Sequence, residues 1–224
     1  MQNLGPRYEF HSHTIFSDGK LLPLSLAIEA EYKEHAVIAL TDHVDPSNLE
    51  HAVKNLVRFC KEMAGKTKIQ IIPGAEVSYL PPPEIEKYAK QARELGARII
   101  IVHGESPAEP AVPKGTNHEA LKLKGLVNIL AHPGMITEED ALLAKENNIY
   151  LELSARRGHS DGNKHVASIA KKVGAKMLVN TDAHTDKDLI SQEQAFEVAS
   201  QAGLNEAEAA AVVRNNPQEL LKKT

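Results

Sequence analysis

Histidine and carboxylate side chains recur in this sequence directly after short apolar segments. His11 and His13 stand two residues apart near the start of the chain, and Asp182 and His184 have the same spacing near its end. On an extended strand, residues i and i+2 point to the same side, so each pair can direct two donor atoms into one pocket. Imidazole and carboxylate together suit zinc, manganese or iron better than magnesium or calcium. The two pairs therefore predict a metal site.

The number of such residues indicates more than one ion. The candidate ligands that follow predicted strands are His11, His13, Asp18, His43, Glu76, His103, His132, Asp182 and His184. One ion uses roughly four to six ligands, so this set predicts two or three divalent ions. Without metal, burying so many histidines and carboxylates would leave costly unpaired polar groups.

The other histidines lie in predicted helices or in loops away from the strand ends. We expect them to be surface or core residues: His35, His51, His118, His159 and His165. Asp42 either orients a ligand histidine or serves as a structural cap.

The segments that precede the candidate ligands are apolar and rich in β-branched residues, as in parallel strands buried on both faces. Seven are predicted, at 8–10, 37–40, 69–72, 99–102, 126–130, 149–153 and 177–179. Amphipathic patterns predict helices at 23–36, 49–64, 84–95, 137–147 and 164–173. Thr137 with Asp140, and Asn205 with Glu208, have the spacing of helix starts.

This alternation predicts an α/β protein with either a parallel barrel or a doubly wound sheet. Ligand-type residues follow six of the seven predicted strands. Only a barrel brings all strand ends to one rim, so a closed or nearly closed barrel is the better interpretation.

Composition and charge narrow the class of protein. The 224 residues include 26 basic and 30 acidic ones, a net charge of −4, which argues against a general nucleic-acid-coating surface. The single cysteine, Cys60, excludes an internal disulfide and a cysteine-only zinc site. There is no apolar run of membrane-spanning length and no signal-peptide pattern. We therefore expect one cytoplasmic domain over residues 1–224, without a membrane or stable nucleic-acid partner, and the sequence favours no oligomeric state.

The charge of the site points to a substrate class. Three divalent ions would carry +6 and Asp18, Glu76 and Asp182 would return −3, so the pocket favours an anionic substrate such as a phosphate ester. The ions would polarise the phosphoryl oxygens, supply a hydroxide by lowering the pKa of bound water to roughly 7, and stabilise the leaving oxygen.

Cationic side chains near the predicted rim are candidates for substrate binding. Arg156 and Arg157 follow the sixth strand, where an arginine could clamp two phosphate oxygens, although a solvated loop arginine is an equally good interpretation. Ser78 and Tyr79, just after Glu76, are further candidates to face the substrate. The segment 105–117 is long enough to form a rim loop that sets substrate choice.

Seven short motifs, in this order along the chain, resemble those of the PHP (polymerase and histidinol phosphatase) superfamily. They are His11-Ser12-His13, Ser17-Asp18-Gly19, Thr41-Asp42-His43, Gly74-Ala75-Glu76, Val102-His103-Gly104, Ala131-His132-Pro133-Gly134 and Thr181-Asp182-Ala183-His184. The resemblance implies a distorted (β/α)7 barrel that binds up to three ions, commonly zinc, manganese or iron, and hydrolyses phosphoesters.

The resemblance also implies how the ligands divide among the ions. The implied ligands are His11, His13, Glu76 and Asp182 at the first site, Glu76, His103 and His132 at the second, and Asp18, His43 and His184 at the third. Some relatives have histidine at the position of Asp18, so the third site should be harder and richer in oxygen here.

The main functional hypothesis is a metal-dependent phosphatase that hydrolyses phosphate monoesters of a small metabolite, with His11, His13, Glu76 and Asp182 holding the catalytic metal centre. Histidinol phosphate and nucleotide-type substrates, including mono- or bisphosphates and short oligonucleotides, are both open. One alternative is an amidohydrolase-like metal hydrolase, which also begins with a His-x-His strand but would give Asp18, His43 and His184 no role. The other is a non-catalytic module, as in polymerase-linked relatives.

Overall fold

The computed structural model describes residues 4–224, and parallel strands form its frame. In chain order they are β1 (Arg7–Glu9), β2 (His35–Leu40), β3 (His43–Val44), β4 (Gln70–Val77), β5 (Ile99–His103), β6 (Ile129–Ala131), β7 (Tyr150–Ser154) and β8 (Met177–Asn180). Seven of them pair in the order β1-β2-β4-β5-β6-β7-β8, and β3 pairs only with β4. The seven predicted strands are confirmed. The two residues of β3 are too short a segment to show in a sequence pattern.

The first and last strands meet just beyond their carboxyl ends. Ser12 and Ala183 form an isolated parallel bridge, in which the His13 N–H donates to the Ala183 carbonyl at 2.8 Å and the Ala183 N–H donates to the His11 carbonyl at 3.3 Å. The sheet is therefore a nearly closed parallel barrel, as expected, rather than an open doubly wound sheet. This closure sets residues 11–13 beside residues 182–184.

Helices surround the strands. Those within residues 4–224 are α1 (Pro23–Tyr32), α2 (Leu49–Met63), α3 (Ile85–Glu94), α4 (Thr116–Leu121), α5 (Glu138–Asn147), α6 (Asn163–Val173), α7 (Gln192–Gln201), α8 (Glu206–Ala210) and α9 (Asn216–Lys223). The five predicted helices are confirmed, whereas α4, α7 and α9 were not predicted. Thr137 and Asn205 cap α5 and α8 as their spacing indicated. The predicted end of α1 near residue 36 is wrong, because Glu34 adopts φ 62° and β2 begins at the next residue.

Strand β4 continues five residues beyond its predicted end, and this extension places Glu76 inside a strand rather than after one. Proline lacks a backbone donor and is seldom tolerated inside a sheet. Pro73 is tolerated because β4 pairs with β2 up to Pro73 and with β5 from Gly74 onward. At Gly74, a Cβ atom would lie 2.6 Å from Thr41 Cγ2, so only glycine fits. The register then pairs Glu76 with His43 of β3.

Apolar side chains fill the barrel and its outer layer. Alternate residues of the strands, such as Ile99 and Ile101, form a buried cluster that also contains Leu220 of α9. Their neighbours Ile100 and Val102 belong to the larger cluster that includes the helices. No helix within the described part of the chain is long and apolar enough to cross a membrane.

Candidate metal centre

The nine predicted ligands lie together at the carboxyl ends of the strands. Their donor atoms form four overlapping groups, each within 4.8 Å: His13, Asp18, His43 and His184; His11, His132 and Asp182; His11, His13 and Glu76; and Glu76, His103 and His132. Because several residues belong to two groups, the arrangement is one continuous cluster with shared ligands.

Glu76 occupies the middle of this cluster and is fully buried. Its Oε2 atom lies 2.6 Å from His43 Nδ1, 3.3 Å from His11 Nε2 and 3.6 Å from His13 Nε2. Its Oε1 atom lies 3.9 Å from His132 Nε2 on the other side. One carboxylate therefore touches both halves of the cluster, as a bridging ligand must.

Asp182 and Asp18 are the other two carboxylates of the cluster. Asp182 Oδ1 lies 3.0 Å from His13 Nε2 and 3.5 Å from His184 Nδ1. Asp18 Oδ2 lies 3.1 Å from His184 Nε2 and 3.8 Å from His43 Nε2. The side chain of Asp18 is 57% exposed, so this end of the cluster opens to solvent.

Unpaired polar atoms test whether the cluster fits metal ions. Within the described residues, the buried atoms of the cluster without a hydrogen-bond partner are His11 Nε2, both ring nitrogens of His13 and His132, both oxygens of Glu76, and Asp182 Oδ1. Each unpaired buried group costs about 1–3 kcal/mol. Coordination would satisfy these atoms, so the donor set fits divalent metal ions.

Three ligands have pKa shifts that favour metal binding, whereas the pKa of His43 is raised to about 9 because Glu76 outweighs the opposing effect of burial. Burial opposes ionisation of Glu76, but the neighbouring histidines, His43 above all, outweigh it and hold its pKa well below its usual range. Burial and the neighbouring His43 lower the pKa of His13 well below 6.5, and burial and His103 do the same to the pKa of His132. An ionised carboxylate and neutral imidazoles are the forms that bind metal.

Two buried glutamates beneath the cluster were not singled out from the sequence. Glu152 of β7 has its Oε1 2.9 Å from His11 Nδ1, and its Oε2 accepts the backbone N–H of His132 at 2.9 Å. Glu9 of β1 accepts the backbone N–H of His11 at 3.0 Å and is paired with Arg7 at 2.7 Å. Glu152 thereby turns the His11 ring so that Nε2 faces the pocket. The sequence signal that could have identified these residues is a glutamate within an apolar predicted strand.

Two of the ligands have a strained backbone conformation. His132 has φ 25° and Asp182 has φ 50°, in the left-handed region that residues with a Cβ seldom adopt. Such strain persists only where surrounding contacts hold it, and it is common at functional sites. For His132, the hydrogen bond to Glu152 supplies one of these contacts.

His159 lies against the pocket, which corrects the expectation that it is a surface or core residue. It is 4% exposed, and its ring stacks on His132 with centroids 4.0 Å apart. Its Nε2 lies 3.4 Å from Oε1 of Glu109, whose Oε2 lies 2.9 Å from His103 Nε2. The segment 105–117 thus reaches the rim through Glu109. The sequence showed no ligand directly after the sixth strand, and that gap was the only signal for His159.

The other four histidines lie outside the cluster. Their contacts are His35 with the Ile190 carbonyl, His51 with Asn55, His118 with Asp140 and His165 with the Ile136 carbonyl.

Asp42 and Ser78 lie next to the ligands. Asp42 accepts hydrogen bonds from the Thr14 N–H and the Ser17 hydroxyl, both at 2.8 Å, so it holds the loop before Asp18 and does not orient a ligand histidine. The Ser78 hydroxyl lies 2.7 Å from His43 Nδ1 in a buried position. Its contact with substrate stays a prediction.

The two arginines occupy different positions. Arg156 is half-buried and donates to the Asp182 carbonyl at 3.1 Å and to His184 Nδ1 at 2.8 Å. Arg157 is exposed and lines a cavity at the rim. Their roles in binding phosphate stay predictions.

The structure defines a nearly closed parallel (β/α) barrel whose rim carries a cluster of histidine and carboxylate ligands. The chain belongs to the PHP domain family, whose family model matches residues 9–156.

Two relatives and one solved structure are similar to the chain. The chain is 44% identical over 219 residues to an uncharacterized protein of Methanocaldococcus jannaschii, covering 97% of this chain and 99% of the relative. It is 32% identical over 216 residues to a probable phosphatase of Thermoanaerobacter sp., covering 88% and 86%. The histidinol phosphate phosphatase of Lactococcus lactis, complexed with zinc, L-histidinol and phosphate, superposes with a TM-score of 0.60 at 17% identity, covering 89% and 94%. This last likeness concerns the fold.

Proposed function

We propose that the protein is a metal-dependent phosphatase that hydrolyses phosphate monoesters of a small metabolite. The unpaired buried donor atoms around Glu76 carry this proposal, because they suit several closely spaced divalent ions. A cluster of that charge next to an arginine favours a phosphorylated substrate. The relative described as a probable phosphatase supports the same activity.

The resemblance to the PHP family suggests which residues would hold the ions. The proposed sets are His11, His13, Glu76 and Asp182 for one ion, Glu76, His103 and His132 for a second, and Asp18, His43 and His184 for a third. The donor groups in the structure overlap with these sets without matching all of them, since His13 also lies within reach of the third set. When bound, the ions would supply Lewis-acid stabilisation of the phosphoryl group and a water molecule of lowered pKa.

The chain itself contributes orientation and charge. Glu152 fixes the ring of His11 and the backbone of His132, so two ligands keep one relative geometry. The guanidinium of Arg156 lies at the edge of the cluster, with its Nε 3.5 Å from Asp182 Oδ2. We expect it to donate to phosphoryl oxygens from there.

A comparison of two histidine variants tests the proposal. The wild-type protein should contain two or three ions of zinc, manganese or iron and should release phosphate from an aryl phosphate. His11→Gln should lose bound metal and abolish this release. His51→Gln, at an exposed histidine of α2, is the matched control and should behave as wild type. Equal turnover in both variants, or hydrolysis of cyclic amides instead of phosphate esters, would contradict the proposal.

A further inference from the structure

A cavity of about 730 Å³ opens beside the solvent-facing end of the cluster, next to Asp18 and His184. Small-molecule sites are typically about 300–1,000 Å³, so the cavity could hold a sugar or nucleoside with a phosphate group. Four cationic side chains line it: Lys20, Arg156, Arg157 and Lys187.

Three of these cations are unpaired. Arg156 is bonded to the cluster, but the side chains of Lys20, Arg157 and Lys187 form no hydrogen bond or ion pair with any residue between 4 and 224. All three are exposed. Several surface lysines elsewhere pair with carboxylates, as Lys54 does with Glu50, and others within the described residues are unpaired, but these three cations share one cavity. The cavity is therefore a local concentration of free positive charge.

The carboxylates at the cavity do not neutralise these cations. Asp18 lies 3.1 Å from His184 as part of the ligand cluster. Asp188 accepts the backbone N–H groups of His184 and Thr185, at 3.0 and 2.8 Å. Both carboxylates are occupied, so the three cations are available to an anion from solvent.

The cations converge only through the fold. Lys20 lies in the loop before α1, Arg157 follows β7, and Lys187 lies in a short 3₁₀ turn after β8. The Lys20 N–H donates to the His184 carbonyl at 2.8 Å, which fixes the first of these segments against the third. The three cations therefore line the same cavity as Asp18 and His184 of the ligand cluster, although they come from three separate segments.

We propose that Lys20, Arg157 and Lys187 form an outer anion subsite that binds a second phosphate group of the substrate. The preferred substrates are then small molecules with two phosphate groups, one held at the cluster and the other at the outer anion subsite. This inference rests on the proposed phosphatase function, because it assigns the reacting phosphate to the cluster.

The reaction leaves the second phosphate unchanged. Water forms a P–O bond to the phosphorus at the cluster, the P–O bond to the sugar oxygen breaks, and a proton passes to the departing alcohol. The products are inorganic phosphate and a monophosphate. Since the monophosphate no longer spans both positions, it should bind more weakly than the substrate.

Competitive inhibition of aryl phosphate hydrolysis tests the subsite on the whole metal-loaded protein. Fructose 1,6-bisphosphate should inhibit wild type about tenfold more strongly than fructose 6-phosphate, because charge-assisted contacts add to its binding. In the double variant Lys20→Gln/Lys187→Gln, the ratio of the two inhibition constants should fall close to one. Lys124→Gln, at an exposed lysine on the loop before β6, is the control and should keep the wild-type ratio.

The outcomes separate the two proposals. A wild-type ratio near one, or an unchanged ratio in the double variant, overturns the outer anion subsite while aryl phosphate hydrolysis still supports the phosphatase. Absence of aryl phosphate hydrolysis in the metal-loaded wild type overturns the phosphatase, and the subsite as a substrate site with it.

Discussion

Replacing Glu152 by glutamine tests how the ligand cluster is held in position. The carboxylate of Glu152 accepts from His11 Nδ1 at 2.9 Å and from the backbone N–H of His132 at 2.9 Å. Glutamine has one acceptor and one amide donor at the same positions. Whichever way the amide turns, its NH₂ group faces one of the two N–H groups, so one hydrogen bond is lost in a fully buried site.

The expected size of the effect follows from these contacts. A hydrogen bond to a charged group contributes about 1.5–3 kcal/mol. If that loss appears in ion binding, the metal affinity of Glu152→Gln should fall about 10–100-fold, which is also the usual effect of changing a carboxylate behind a ligand histidine. The rate of phosphate release at limiting metal should fall in parallel.

Chelator competition measures the metal affinity, and aryl phosphate hydrolysis at limiting and saturating metal measures the activity. Glu146→Gln, at an exposed glutamate of α5, is the matched control. Saturating metal should restore part of the activity of Glu152→Gln, because the ligands themselves are intact. Metal affinity equal to that of the control would refute the role assigned to Glu152.

Three further predictions concern stability. Burial lowers the pKa of His35 to about 3, so below pH 6.5 the unfolded chain gains a proton that the folded one refuses. Stability should therefore fall by about 2 kcal/mol between pH 8 and pH 5 through this group alone, and urea unfolding of His35→Gln should show a pH dependence smaller by that amount; identical slopes would contradict this. Chelator treatment should lower the Tm, because ions that bind only the folded cluster stabilise it, and an unchanged Tm would count against bound metal. Gly104→Ala should lower the urea midpoint, since its Cβ would lie 2.1 Å from the Ala131 carbonyl oxygen; a midpoint equal to wild type would show that the backbone adjusts freely.

The sequence was most informative where one short segment carries the whole signal. The apolar strands and the ligand-type residues after them are local features, and a parallel barrel places all strand ends on one rim. Strand pairing was not predicted, because it joins segments that are far apart in the chain. The predicted strand 69–72 ended too early, because a sequence pattern does not show that β4 changes its partner at Pro73. The two-residue strand β3, which aligns His43 with Glu76, has no local pattern of its own.

The sequence by itself determined the order of the strands, the residue types at their ends and hence the chemistry of the cluster. Only the tertiary structure decided that Glu152 supports two ligands, that His159 and Glu109 reach the pocket, and that free cations gather beside Asp18. These contacts join residues far apart in the chain, and no spacing along the sequence encodes their distance. They exist because closing the barrel brings the ends of separate strands to one rim.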